Sequence, residues 1–218
     1  MKTILSDRQK LVLQLLFSNP SIQKNYYLSG GTVLAEYYLH HRYSEDLDFF
    51  TESEVDLMSI QILFKSISSK AGIKTVDFQQ SFNRNLVYLH FDDETIKTEF
   101  TYYPFTQLEI PKVIDKLKID SLLDIAVNKT FTIYQKPRSR DFIDLYLIMK
   151  EKGWNFTDLR KKARTKFDTH MDPLQMAKQL LDVDQLEDFP RMIVSLKVNV
   201  WQDFWKLEAE KLKTEVLT

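Results

Sequence analysis

Apolar and polar residues follow two different periods along this chain, and the period changes near residue 72. From residue 55 to residue 71, apolar side chains recur every three or four positions, which predicts an amphipathic helix. Gly72 follows this pattern directly and is expected to end the helix. The next segments have the composition of strands, with a turn at Asp92-Asp93-Glu94 that predicts a hairpin. These predicted strands are residues 73–78, 85–91 and 95–103.

Turn signals and helical periodicity define the other elements. Ser6 and Gln9 have the spacing of a capping box, which predicts a helix that ends before Asn19-Pro20. Two short strands with a helix between them are predicted next, at residues 25–29, 32–40 and 45–50. Beyond Pro111 the pattern becomes helical, with predicted helices at residues 121–134, 139–151, 158–166, 173–181 and 200–212.

These elements predict an α+β fold, in which a small mixed sheet flanked by helices precedes a helical C-terminal half. We place the boundary at residue 110, with an α/β domain at 1–110 and a helical domain at 111–218 that completes the active site. A length of 218 residues allows a full hydrophobic core, and 44% hydrophobic and 13% aromatic residues indicate a folded chain.

Charge and cysteine content exclude several classes of function. The formal net charge is −1, so binding to nucleic acid would have to use local basic patches rather than a global field. The absence of cysteine excludes disulfides and thiolate zinc sites. Charged residues follow Met1 too soon for a signal peptide, and no apolar run approaches the roughly 18 residues of a membrane helix. The sequence therefore predicts a soluble, cytoplasmic protein with no membrane partner.

The segment from Leu28 to Phe50 contains the most informative pattern. Gly30-Gly31 precedes a predicted helix, and such a turn lets a phosphate approach bare backbone near the positive end of the helix. Asp46 and Asp48 are two positions apart in a predicted strand, so they share one face about 6.5–7 Å apart along the backbone. Two such carboxylates offer the hard oxygen ligands that Mg²⁺ prefers. Together, a turn that can bind phosphate and a pair of aspartates that can bind a metal predict a nucleotide-handling enzyme.

A third carboxylate, Glu99, is expected on the second strand of the predicted hairpin. If this strand pairs beside that of the aspartates, Glu99 joins Asp46 and Asp48 on one face. Three like charges at close range repel one another, and bound Mg²⁺ ions would remove this conflict. The alternative is an ordinary solvent-facing glutamate that pairs with Lys97.

Charged residues on two predicted helices of the second half form a further candidate group. Lys129 lies late in its helix, where a lysine can neutralise a triphosphate. Asp141 and Asp144 are three residues apart and share one face of the next helix. Arg140 can bind a phosphate or fix a carboxylate. An ion-pair network between the helices is the alternative, and both interpretations stay open for Arg140 and Asp144.

Taken in order, these motifs resemble those of a known enzyme family. Gly-Gly-Thr-x-Leu, His-Arg-x-Ser-x-Asp-Leu-Asp-Phe-Phe, a late Lys and Arg-Asp-x-x-Asp-Leu-Tyr are similar to the motifs of the AbiEii/AbiGii nucleotidyltransferase toxins, in the DNA polymerase β-like superfamily. The family includes effectors of type IV toxin–antitoxin and phage-defence systems. The resemblance extends from about Tyr27 to Tyr146. The matching residues are Gly30, Gly31, Thr32, His41, Arg42, Ser44, Asp46, Asp48, Lys129, Arg140, Asp141 and Asp144.

The resemblance implies a nucleotidyltransferase fold and a Mg²⁺-dependent transfer of a nucleoside monophosphate from a nucleoside triphosphate (NTP) to an acceptor hydroxyl, with release of pyrophosphate. The implied metal ligands are Asp46, Asp48 and Glu99, which are also the implied catalytic residues together with Asp141. The residues implied to bind the nucleotide are Gly30, Gly31, Thr32, Arg42, Ser44, Lys129 and Arg140. Some members of the wider group modify tRNA 3′ ends, so tRNA or another RNA is the implied acceptor, and a cognate antitoxin is an implied partner.

Other features bear on specificity and on competing functions. Lys136 stands where the family often has arginine, and it lacks the bidentate fork, so nucleotide preference is expected to differ. His41 is expected to position a neighbour or cap a helix end rather than bind a metal together with His40. The basic run from Arg160 to Lys166 is either a solvated helix face or a contact for RNA phosphates. The competing functions are a metal-dependent phosphodiesterase and a catalytically inactive module that binds a nucleotide or an antitoxin.

Overall fold

The computed structural model describes residues 3–213, which form two compact units. The first unit extends to Tyr38 and then from Ser44 to Ser121; the second consists of Leu39–Tyr43 and the residues from Leu122 onwards. The sequence placed the domain boundary at residue 110, whereas this division falls after Ser121. The predicted domains also include Met1, Lys2 and residues 214–218, which lie outside the described residues.

A mixed sheet of seven strands lies in the first unit. The strands are β1 (Tyr27–Ser29), β2 (Leu47–Thr51), β3 (Thr75–Ser81), β4 (Arg84–His90), β5 (Thr95–Tyr102), β6 (Lys112–Ile114) and β7 (Leu117–Ile119). Their order is β3-β4-β5-β2-β1-β7-β6, with β2 parallel to β5 and antiparallel to β1. The predicted hairpin is β4–β5, whereas the hairpin β6–β7 was not predicted.

Helices precede, separate and follow the strands along the chain, and they make up most of the second unit. They are α1 (Asp7–Leu16), α2 (Pro20–Asn25), α3 (Gly30–Val33), α4 (Leu57–Ala71), α5 (Leu122–Gln135), α6 (Ser139–Lys152), α7 (Phe156–Phe167), α8 (Pro173–Leu181) and α9 (Val198–Lys211). A π-helix at Leu34–Leu39 continues α3, and a 3₁₀ turn at Asp182–Gln185 follows α8. The predicted α+β class is confirmed. No helix within residues 3–213 has the length and apolarity needed to cross a membrane.

Local signals explain where two of these helices begin and end. At the start of α1, Ser6 Oγ accepts a hydrogen bond from Gln9 N at 3.1 Å, and Gln9 Oε1 accepts one from Ser6 N at 2.8 Å. This is the predicted capping box, which satisfies two backbone donors that the helix leaves unpaired. Gly72 ends α4 with a φ of +75°, a conformation that other residues adopt at a cost.

Alternation along β2 orients the aspartates. Leu47 and Phe49 are fully buried, and Phe49 stacks on Phe100 of β5 at 4.8 Å between ring centroids. Burying each of these side chains contributes roughly 1.5–3 kcal/mol. Because successive residues of a strand point to opposite faces, this packing directs Asp48 to the other face of the sheet.

Two aromatic residues fix α6 within the second unit. Trp205 of α9 is fully buried, and its ring packs against Phe142 at 5.5 Å between centroids. Its indole Nε1 also donates a hydrogen bond to Phe142 O at 3.1 Å. Together these contacts hold the helix that carries Asp141 and Asp144.

Candidate active site

Two of the three predicted metal ligands, Asp48 and Glu99, lie on adjacent parallel strands, and the third lies just before one of them. Asp48 on β2 and Glu99 on β5 are register partners, and register partners present their side chains on the same face of a sheet. Asp46 immediately precedes β2, and its Oδ2 accepts a hydrogen bond from Lys97 Nζ at 3.1 Å. The strand of Glu99 therefore pairs beside the strand of the aspartates.

Glu99 is buried and is held by an arginine that sequence reasoning missed. Arg84 Nε lies 2.5 Å from Glu99 Oε1, and Arg84 Nη2 lies 2.6 Å from Oε2, so the contact is bidentate. Thr101 Oγ1 also donates to Glu99 Oε1 at 2.8 Å. Burial would raise the pKa of Glu99, but the hydrogen bonds from Arg84 and Thr101 bring this pKa below its ordinary value. Glu99 is therefore an ionised carboxylate, paired with Arg84 rather than with Lys97.

Two predicted nucleotide-binding residues hold the backbone next to the aspartates. Thr32 Oγ1 donates to Asp46 O at 2.5 Å and lies 2.9 Å from Ser44 Oγ. Helix α3 is thereby tied to the residue that precedes β2. Thr32 is almost fully buried, and in this structure its side chain holds the backbone of Asp46 in place.

Gly30 makes the closest approach to the carboxylates. It begins α3 with a φ of +78°, and a Cβ built on it would lie 2.7 Å from Asp48 Oδ2. Any larger residue would therefore have to displace the Asp48 carboxylate. The sequence predicted a close approach of a phosphate to this glycine; the structure places a carboxylate there.

The donor set of this face fits a divalent cation. Asp46, Asp48 and Glu99 supply hard carboxylate oxygens, which suit Mg²⁺, and the absence of a Cβ on Gly30 lets the Asp48 carboxylate lie close to its backbone. Within residues 3–213, no three His, Cys, Asp or Glu side chains are grouped so that they could hold a metal. Glu99 is instead paired with Arg84, and Asp46 with Lys97. The metal role of these residues stays a prediction.

A second charged cluster is buried in the second unit and centres on Asp144. Asp144 is fully buried and accepts hydrogen bonds from His41 Nε2 at 2.7 Å and from Arg42 Nε and Nη2 at 2.7 and 2.8 Å. Lys129 Nζ lies 2.8 Å from Asp144 Oδ2 and 2.7 Å from Asp141 Oδ1. Asp144 therefore belongs to an ion-pair network, and His41 has the predicted positioning role.

The members of this network keep one another ionised. Burial would raise the pKa of Asp144, but Lys129, Arg42 and His41 hold this pKa well below its ordinary value of 3.8. Burial would lower the pKa of Lys129, but Asp141 and Asp144 raise it. Arg42 is 2% exposed and also donates to the carbonyl of Tyr43 at 3.0 Å. In this structure Arg42 is paired with Asp144, and Lys129 is paired with Asp141 and Asp144. Contact of Arg42 and Lys129 with a nucleotide stays a prediction.

Arg140 differs from these residues. It is half-buried on α6, and its side chain makes no hydrogen bond or ion pair with any residue from 3 to 213. Its guanidinium is therefore not consumed by the network that holds Asp141 and Asp144. Both roles left open for Arg140 stay predictions.

The segment Leu39–Tyr43 is bound to a distant part of the same unit. His40 ends the π-helix with a φ of +49°, and Tyr43 N then donates to Arg191 O at 2.9 Å. Ile193 N donates to His41 O at 2.8 Å, which places His41 and Arg42 on a short bridge between chain segments. No sequence signal identified residues 191–193 as the partner of this motif.

The predicted basic patch on α7 is smaller than expected. Arg160 is 5% exposed, and the side chain of Lys166 is fully buried in an ion pair with Asp124 at 2.7 Å. These two residues were wrongly included in the surface patch, because their side chains are buried. The exposed cations of this helix turn are Lys161, Lys162 and Arg164. A surface cavity of about 430 Å³ is lined by Lys161, Arg164, Thr165, Asp168, Thr169 and His170.

Comparisons with known proteins agree with the fold. An uncharacterised protein of Aquifex aeolicus (strain VF5) is 33% identical over 150 residues, which is 67% of this chain and 68% of that protein. The crystal structure of JHP933 from Helicobacter pylori has a TM-score of 0.56 at 21% identity and covers 97% of both chains. A second H. pylori structure has a TM-score of 0.59 at 21% identity, covering 98% of this chain and 99% of that one.

The match to a family model extends over both units. The model of the nucleotidyl transferase AbiEii toxins of type IV toxin–antitoxin systems matches residues 12–212. This range contains the carboxylates on β2 and β5 as well as the buried cluster of the second unit. The chain therefore belongs to the AbiEii nucleotidyl transferase toxin family and is a nucleotidyltransferase.

Proposed function

We propose that this nucleotidyltransferase uses Mg²⁺ to move a nucleoside monophosphate from an NTP to a hydroxyl group of an RNA. The observation that carries the proposal is the register pairing of Asp48 with Glu99, beside Asp46, on one face of the sheet. tRNA is the acceptor to test first, because some members of the wider group that the motifs resemble modify tRNA 3′ ends. The biological role proposed is that of a toxin controlled by an antitoxin, or of a phage-defence effector.

The proposed chemistry needs ionised oxygen ligands on a rigid frame. Asp46, Asp48 and Glu99 would hold the cation, and the lowered pKa of Glu99 keeps it ionised at neutral pH. When bound, Mg²⁺ lowers the pKa of an attacking hydroxyl and neutralises a leaving pyrophosphate. Thr32 fixes the backbone of Asp46, and Gly30 lets the Asp48 carboxylate lie close to the start of α3. A ligand backbone held in this way needs little rearrangement before the reaction.

The nucleotide-binding assignments outside the sheet rest on the family motif. Lys129 and Arg140 are proposed to neutralise the triphosphate, because both match family motifs in the second half of the chain and carry positive charge. Arg140 has no competing ion pair among residues 3–213, so we expect it to be the more available of the two. Asp141 is proposed to act with them, and its contact with Lys129 supports a shared role.

Transfer of the α-phosphate label tests the proposal directly. The protein would be incubated with Mg²⁺, total RNA and total protein extract, and each of the four NTPs labelled at the α-phosphate or, separately, at the γ-phosphate. We expect the α label, but not the γ label, to appear in RNA and to be removed by ribonuclease. Asp48→Asn should abolish this signal. Asp77→Asn should not, because Asp77 is an exposed carboxylate on β3 that contacts His90.

The other outcomes identify the competing functions. Label on protein would replace RNA as the acceptor. Release of a labelled monophosphate without any labelled acceptor would indicate a phosphodiesterase. Binding of the NTP without either product, at a level equal in wild type and Asp48→Asn, would indicate an inactive nucleotide-binding module.

A further inference from the structure

Arg84 covers the carboxylate that the proposed metal site requires. It is the first residue of β4 and the register partner of Thr101, two positions from Glu99 along β5. Its side chain is 60% exposed, whereas that of Glu99 is 9% exposed. The guanidinium therefore lies on the solvent side of Glu99.

The oxygens of Glu99 have little capacity left for another ligand. Oε1 accepts hydrogen bonds from both Arg84 Nε and Thr101 Oγ1, and Oε2 accepts one from Arg84 Nη2. A carboxylate oxygen offers about two lone-pair sites, so Oε1 is fully used. A cation that binds Glu99 through both oxygens has to take the place of Arg84.

Charge balance leads to the same conclusion. The formal charges of Asp46, Asp48 and Glu99 sum to −3, and those of Lys97 and Arg84 to +2. Asp48 and Asp46 also act on Arg84 through their charges. A divalent cation at these carboxylates would add two positive charges beside Lys97 and Arg84, which it would repel. The more exposed of the two, Arg84, is the one with room to move.

We infer that Arg84 is the counter-ion of Glu99 in the metal-free protein, that it competes with a divalent cation for Glu99, and that once displaced it binds a phosphate oxygen of the nucleotide. The inference rests on the proposed function for the identity of the ligands. A guanidinium binds phosphate with the same two-pronged geometry that it uses on a carboxylate, so the exchange conserves its hydrogen bonds. Arg84 would thereby couple metal loading to triphosphate binding.

The affinity for Mn²⁺ alone tests the competition without any turnover. Free Mn²⁺ would be measured by electron paramagnetic resonance during titration of the wild type, Arg84→Gln and Arg84→Lys. We expect Arg84→Gln to bind Mn²⁺ roughly tenfold more tightly, as for a divalent ion and a unit charge a few ångströms apart in water. Arg84→Lys keeps the charge and should stay closer to the wild type. Mn²⁺ affinity that is unchanged or weaker in Arg84→Gln would overturn the inference.

Arg8→Gln is the matched control for charge removal. Arg8 also contacts two carboxylates of the first unit, Asp93 and Glu94. Neither of them is one of the three proposed metal ligands. We expect its Mn²⁺ affinity to equal that of the wild type. Equal gains in Arg8→Gln and Arg84→Gln would show that only the net charge of the protein matters, and would overturn a specific role for Arg84.

The affinity for a non-hydrolysable NTP at saturating Mg²⁺ tests the second half of the inference. Arg84→Gln should lose at least about tenfold in this affinity, the size of one charge-assisted phosphate contact. An unchanged affinity would exclude Arg84 from the phosphates. Both measurements are independent of the acceptor: tighter Mn²⁺ binding in Arg84→Gln, in a protein that labels no RNA, would support this inference while the proposed function failed.

Discussion

Gly30 lies so close to Asp48 that a Cβ atom on Gly30 would be 2.7 Å from Asp48 Oδ2. The backbone of Gly30 also has a φ of +78°, which other residues rarely adopt. Gly72 shares only the second property: its φ is +75°, and nothing lies within 4 Å of a Cβ built on it. The two glycines therefore separate the cost of backbone strain from the cost of crowding a carboxylate.

Gly30→Ala should impair both stability and transfer activity. Strain in the left-handed conformation costs about 1–3 kcal/mol, and the added methyl group should push the Asp48 carboxylate from its position. Gly72→Ala should show a similar loss of stability with full activity. Urea denaturation and label transfer would be measured for both variants. Activity in Gly30→Ala that matches Gly72→Ala would mean that the position of Asp48 does not limit the reaction.

The pKa of Asp144 predicts a specific dependence of stability on pH. This pKa is well below its ordinary value of 3.8 because, against the effect of burial, Lys129, Arg42 and His41 favour the ionised form. The corresponding stabilisation is complete above the unfolded-state pKa, near pH 4, and is lost as the pH falls through the folded-state pKa. We expect the free energy of unfolding of the wild type to decrease below about pH 4.

Asp144→Asn should remove this acid dependence along with much of the stability. Loss of one partner from a buried ion-pair network costs about 3–5 kcal/mol at neutral pH, and the variant should then lose less on acidification. Asp77→Asn, which changes an exposed carboxylate, should keep the wild-type profile. Parallel acid profiles for Asp144→Asn and the wild type would contradict the network.

Lys129 is predicted to contribute to nucleotide affinity beyond its contribution to stability. Lys129→Met should weaken NTP binding by about 1.5–3 kcal/mol if a charge-assisted phosphate contact is lost. Lys166→Met provides the control, because Lys166 is another buried lysine of the second unit and is paired with Asp124. Calorimetric titration should show weaker binding only for Lys129→Met. Equal affinities in the two variants would make Lys129 purely structural.

The exposed cations of α7 are predicted to bind RNA phosphates. Replacing Lys161, Lys162 and Arg164 with glutamine should weaken RNA binding and flatten its salt dependence. Each lost phosphate contact removes about 0.7 from the slope of log affinity against log salt for a single strand, and about 0.9 for a duplex with the charge density of B-DNA.

Glutamine at three exposed lysines of the first unit, Lys65, Lys70 and Lys74, is the matched control. Binding of NTP should be unchanged in both triple variants. An unaltered slope in the α7 variant would place RNA on another surface.

Much of the first unit could be predicted because its signals are local. The capping box of Ser6 and Gln9 fixed the start of α1, and the helical period with Gly72 defined α4. Alternation of Leu47 and Phe49 with the aspartates identified the polar face of β2, since only one register buries both apolar residues. These features depend on neighbours in sequence, and a single chain is sufficient to identify them.

Other features depended on contacts that no local pattern specifies. The hairpin β6–β7 turns at Asp115 and Lys116, both with positive φ, although neither is the glycine that usually marks such a turn. The pairing of Arg84 with Glu99 requires the register of two strands, and the sequence had placed the start of β4 one residue later. The burial of Arg42 requires a partner about a hundred residues away, which charge patterning alone cannot select.

The assignment of Leu39–Tyr43 to the second unit has a consequence for biosynthesis and inheritance. His41 and Arg42 are synthesised about a hundred residues before Asp144. They can form their buried contacts only after α6 has been made. A recombination event at Ser121 would bring together halves from different ancestors and would separate Arg42 from the aspartate that it neutralises. The two halves of this gene are therefore expected to be inherited together, even though the sheet and the helices pack as separate units.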